Sequence, residues 1–189
     1  MKSSQIKNLC LCAICIALCY VLPIAFHSIG LGSILSPMHI PVLLCGMVCG
    51  GAYGMVCGLI GPLLSSFLSG MPGAMMLPRM IPELMVYGLV AGLCMQYIRT
   101  RSSVADVYLS LVAAMIAGRV AGGIATTVFY TIVTTAAPDG GYSLALWAAS
   151  YFVEAVPGII IHLCLIPGMV FTLQEARLIP ARYPREAAK

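Results

Sequence analysis

Residues 38–68 read MHIPVLLCGMVCGGAYGMVCGLIGPLLSSFL, and how this stretch divides decides the fold. It contains no Asp, Glu, Lys or Arg to mark a turn. An α-helix crosses a bilayer in roughly 20 residues at about 1.5 Å each. The stretch is therefore too long for one ordinary span, and Gly50-Gly51 is its only obvious break. Division there gives apolar runs at 38–50 and 52–69. Working outward, further runs occupy 6–27, 81–98, 105–136 and 143–174, followed by a basic tail at 175–189.

Charge parity supports the division. Six spans with the N-terminus inside place Lys2, Lys7, Arg99, Arg101, Arg177, Arg182, Arg185 and Lys189 in the cytoplasm, eight of the ten basic residues. Positive residues concentrate on that side of membrane proteins. A single span over 38–68 would move Arg99, Arg101 and the tail outside. Composition agrees: 61% of residues are hydrophobic and 8% charged, where soluble domains run at roughly 45–50% and about 25%. Mean hydropathy is +1.01, and lipid is the natural solvent for such a surface. Helices satisfy their own backbone groups there, whereas a barrel would alternate with period two. The expectation is an all-α integral membrane protein: one membrane domain over 1–189, six transmembrane helices, and both termini cytoplasmic. The first run, from Leu9 to Phe26, lacks an A-x-A site and reads as an uncleaved span. The net charge of +4 comes from ends and loops, which points to topology and not to nucleic acid.

The outer loops then fall at 27–38, 70–80 and 137–142. The first two are rich in Gly, Pro and Ser and suited to folding over a ligand. The segment from Met71-Pro72-Gly73 to Leu77-Pro78 reads as non-helical. Below these loops, ionisable residues converge. Glu83 precedes Arg99 by 16 residues, about 24 Å up its helix. Arg119 lies 14 residues beyond Ala105, about 21 Å up. Glu154 precedes Gln174 by 20 residues, about 30 Å up. Arg79 is placed in the loop before Glu83. Charges at such depths cost several kcal/mol, so a chain that keeps them uses them.

Neighbours at helical spacing make the walls of a small-molecule pocket: Tyr87 beside Glu83, Thr126 and Tyr130 above Arg119, and Trp147 and Tyr151 above Glu154, with Gly158 and the deeper His162 on the same face. His39, next to the first loop, reads as a gate or ligand contact. An arginine fork suits a carboxylate. Internal pairing, Arg79 with Glu83 or Arg119 with Glu154, is the competing role for the charges. His27, His39 and His162 lack metal-ligand spacing, and the nine Cys read as small apolar filler without a zinc pattern. No metal or catalytic residue is expected, because hydrolase signatures are missing. Small residues four apart (Gly46, Gly50, Gly54 and Gly58; Gly88 and Gly92; Gly118 and Gly122) suit close helix packing. Ala13 and Ala17, on a first helix at the bundle's edge, suit a partner.

The block Ser36-Pro37-Met38-His39-Ile40-Pro41-Val42, the glycine ladder to Gly61-Pro62-Leu63-Leu64-Ser65, and Gly70-Met71-Pro72 resemble the substrate-binding S components of energy-coupling factor (ECF) transporters. So do Pro82-Glu83-Leu84 and Tyr87-Gly88-Leu89-Val90-Ala91-Gly92. The likeness covers about residues 6–175, and Ala13 and Ala17 match the family's small-residue motif. It implies a prokaryotic plasma-membrane subunit that binds a vitamin under the loops after the first and third spans. Docking would run through the first helix onto a transmembrane coupling subunit carrying two ATPases, and toppling of the S component would deliver the solute. This chain has no phosphate-binding G-x-x-x-x-G-K-[ST], so ATP is used by the partners and no cofactor is expected here. Nickel and cobalt members begin Met-His, whereas this chain begins Met1-Lys2. The block looks most like pantothenate or pyridoxine-related members, and outward basic residues favour the carboxylate of pantothenate. Two other classes compete: an intramembrane enzyme using Glu83 or Glu154 as acid or base, and a ligand-free scaffold.

Overall fold

A computed structural model of the chain describes residues 3–28, 37–133, 156–176 and 179. Among these there are six helices and no strand: α1 (Ser3–Ser28), α2 (His39–Cys49), α3 (Gly51–Ser69), α4 (Leu77–Tyr97), α5 (Ser103–Val133) and α6 (Val156–Glu175). All but α2 are long and apolar enough to cross a membrane. The expected loops at 27–38 and 137–142, the first part of the run at 143–174 and the tail lie wholly or largely outside the described residues.

The α2–α3 turn is a single residue. Gly50 has φ +104°, a region glycine enters at little cost. The chain reverses there, so that Gly46 of α2 and Gly54 of α3 both meet the backbone of Gly88 on α4. Gly92 meets Gly51, and a methyl on Gly58 would lie 2.5 Å from the Leu84 carbonyl. Three helices thus touch backbone to backbone, as small residues permit.

α2 is unlike the others. Its 11 residues span about 16 Å, nine of them are buried, and it contacts all five other helices. A helix apolar on every side belongs in a core. Because α3 has 19 residues, α2 stops about 12 Å short of its far end. His39, at the start of α2, therefore lies well inside the length of α3.

α4 starts four residues before the expected 81, at Leu77, which corrects the loop reading of Leu77-Pro78 and of Arg79. A proline in the first turn gives up an N–H that has no helical partner anyway, so it opens the helix instead of breaking it. α5 likewise starts at Ser103 and not at 105. The root of the α3–α4 loop is pinned: Ser65 Oγ donates to the Met71 carbonyl (2.7 Å) and Ser66 Oγ to that of Pro72 (2.8 Å). At the opposite end, the fully buried Asp106 closes the α4–α5 loop. Its Oδ1 accepts from the Thr100 N–H (2.8 Å) and hydroxyl (2.6 Å), leaving Arg99 and Arg101 exposed.

All nine cysteines are free thiols. Cys12, Cys15, Cys19, Cys45, Cys49 and Cys57 are buried among α1, α2 and α3. They fill space where helices approach closely; Cys19 lies against Gly61.

Candidate functional site

The cluster forms at the start of α2 and the first turns of α4. Helical spacing puts Arg79, Glu83 and Tyr87 on successive turns of α4. Glu83 is 9% and Tyr87 1% exposed. α5 runs antiparallel to α4 and meets them with glycines, since anything larger would collide. A methyl on Gly118 would lie 2.8 Å from the Tyr87 ring, and one on Gly122 would lie 2.9 Å from the Glu83 carboxylate. Between these glycines α5 carries Arg119, 8% exposed. One turn beyond Gly122, the buried Thr126 donates its hydroxyl to the Gly122 carbonyl at 2.7 Å.

His39 caps this arrangement from α2. Its Nε2 lies 3.6 Å from Glu83 Oε1. Its ring meets Tyr87 edge-on at 5.1 Å and stacks on His162 of α6 at 5.8 Å. His162 is 2% exposed.

Four helices thus bring His39, Glu83, Tyr87, Arg119 and His162 to one level of the bundle. Arg79 sits one turn above Glu83 and is half-buried. Trp147, Tyr151 and Glu154 lie outside the described residues, as does the side chain of Tyr130 on α5. The contact that pairs Glu83 comes from His39, a partner the sequence reading did not assign to it. His162 was read as a deeper residue of the sixth span. Its sequence signal was helical spacing, which puts it on one face with Glu154 and Gly158; Gly158 and His162 are both buried.

A cleft of about 270 Å³ opens at the other end, where Gly50, Gly92, Met95, Gln96 and Gln174 meet. It has no charged lining and is separate from the cluster. Among the described residues, no group of three or more His, Cys, Asp or Glu could hold a metal. On α1, Ile6, Leu9, Ala13, Ile14, Ala17, Val21 and Ile24 form one exposed stripe, with both alanines at its centre.

Five spanning-length apolar helices around a buried ionisable cluster define a multi-pass membrane protein with an internal polar site. The family model described as "ECF transporter, substrate-specific component" matches residues 7–170, and the chain belongs to that family. No curated protein and no solved structure matches it. Members of the family are substrate-binding subunits of transporters, not enzymes, which sets aside the reading of Glu83 and Glu154 as catalytic acid and base. The protein is accordingly a subunit for uptake of a vitamin or similar micronutrient, working with the transmembrane and ATPase subunits of an ECF module.

Proposed function

We propose that this S component binds a carboxylate-bearing vitamin, with pantothenate favoured, in a recess over the start of α2. The observation that carries the reading is the convergence of Glu83, Arg119, His39 and His162 from four helices in an otherwise apolar bundle. A buried guanidinium is suited to a carboxylate. The imidazoles and Glu83 offer acceptors and donors for hydroxyl and amide groups. Arg79, Thr126, Tyr130, Trp147, Tyr151 and Glu154 complete the proposed lining.

The domain is a single membrane unit of six spans, of which α2 is the shortest. Lys7, Arg99 and Arg101 share the end of the bundle where α1 begins and α4 meets α5. That end is the cytoplasmic one, in keeping with the positive-inside rule, so the recess opens outward from a prokaryotic plasma membrane. Ala13 and Ala17 form the docking face for the coupling subunit, and ATP is hydrolysed by the two partner ATPases with no cofactor on this chain.

Native mass spectrometry of the purified protein tests the reading directly. A retained ion matching pantothenate, exchangeable with added labelled pantothenate, is the expected result. A retained pyridoxine-related compound would move the substrate within the family. Failure to bind any carboxylate vitamin would remove the substrate proposal.

A further inference from the structure

We infer that Tyr87 is a positioning residue of the proposed site: it fixes the His39 ring beside Glu83 and acts on the solute through His39. The inference rests on the proposed binding of a carboxylate vitamin over the start of α2. In a helix, side chains lean back over the turn that precedes them. His39 is the first residue of α2, so no earlier turn of α2 supports its ring. Its orientation has to come from other helices, and α4 and α6 supply it. The Tyr87 ring meets the imidazole edge-on, with centroids 5.1 Å apart and planes at 75°. The His162 ring stacks on it at 5.8 Å and 27°. Rings set at these two angles restrict both the tilt and the rotation of the imidazole, and they leave Nε2 3.6 Å from Glu83 Oε1.

Tyr87 is itself held firmly. It is 1% exposed, one turn of α4 deeper than Glu83. A methyl on Gly118 would lie 2.8, 2.9 and 2.9 Å from ring carbons Cδ1, Cε1 and Cγ, so the α5 backbone packs directly on the ring. Touching α5 as well as His39, the ring has little room to turn. A side chain that is loose in the free protein loses rotamer freedom when a ligand orders it, and affinity falls accordingly. Folding has already ordered His39, because Tyr87 is in place. Without the Tyr87 ring, His39 would still be present but the solute would have to order it. The expected loss is about two- to tenfold in affinity.

Pantothenate binding to the purified full chain in nanodiscs, measured by calorimetry, tests this through a double-mutant cycle. Tyr87→Leu, which removes the ring, and Gly118→Ala, which displaces it, should each weaken binding about two- to tenfold. His39→Ala should weaken it at least as much. In a chain that already carries His39→Ala, neither change should weaken binding any further. Tyr87→Phe, which keeps the ring, should restore the affinity that Tyr87→Leu loses. If Tyr87→Leu fails to fold, Gly118→Ala carries the same comparison with the ring still present. A loss that persists without His39 means that Tyr87 touches the solute or merely holds the fold, and it overturns the inference. Full affinity in Tyr87→Leu overturns it too, as does an equal loss in Tyr87→Phe. In each of these results the unaltered chain binds pantothenate and the proposed function stands. Pantothenate that fails to bind the unaltered chain ends the substrate proposal, and this inference with it.

Discussion

Glu83 and Gly122 face each other across the α4–α5 contact with no room for another carbon. Gly122→Ala therefore has to displace the Glu83 side chain, whose Cβ (3.0 Å) as well as its carboxylate (2.9 Å) would crowd the new methyl, and so disturbs the contact with His39. A lower thermal midpoint in detergent should accompany it. Ligand affinity should fall at least tenfold, about 1.4 kcal/mol, in equilibrium binding. Arg119→Ala should weaken binding further, by about 2–5 kcal/mol, as loss of one partner of a buried charged contact does. Folded yield by size-exclusion chromatography should remain, and if yield and binding vanish together, Arg119 is a structural arginine. Glu83 and Arg119 were legible in the sequence because a charge in an apolar run is conspicuous. His162 was legible only as a residue on the Glu154 face, since helical spacing gives no sign of which other helix a ring will meet. The His39–Glu83 contact was hidden for the same reason.

At the scale of helices, glycine carries most of the information. Gly50-Gly51 could be read as a turn because it was the one break in a long apolar run. The structure adds why it works: a positive φ at Gly50, and backbone contact among α2, α3 and α4. Replacing Gly88 with Leu should separate these helices and cost about 1–3 kcal/mol or more, seen as a lower thermal midpoint in detergent. The start of α4 was misjudged because proline breaks a helix interior but not its first turn. Asp106 attracted no notice in the sequence, being one acidic residue near a predicted boundary. Its two bonds to Thr100 give it a definite role in closing the α4–α5 loop. Asp106→Ala should cost about 1 kcal/mol in the same melting assay, and Asp106→Asn less.

For the whole molecule, the separation of the His39–Glu83 cluster and the α1 stripe matters most. The His39–Glu83 cluster lies inside the bundle, while Ala13 and Ala17 are exposed on a helix that packs chiefly on α3 and α2. Replacing both alanines with Leu should leave solute binding intact and abolish uptake by cells that also express the coupling module. Uptake that persists would place docking elsewhere. The long apolar helices were legible from composition alone, because lipid imposes length and polarity on every segment. The depth of His39 was not, since the shortness of α2 becomes visible only beside the full length of α3.

Helices α2, α3 and α4 meet through bare backbone, without the side-chain cushion that lets neighbouring rods slide past one another. A stack of this kind is mechanically stiff, so the protein should change its attitude in the membrane without changing its internal shape. Spin labels on Val56 of α3 and Leu93 of α4, both exposed, should report the same separation with the recess empty, with it filled, and with the coupling module bound.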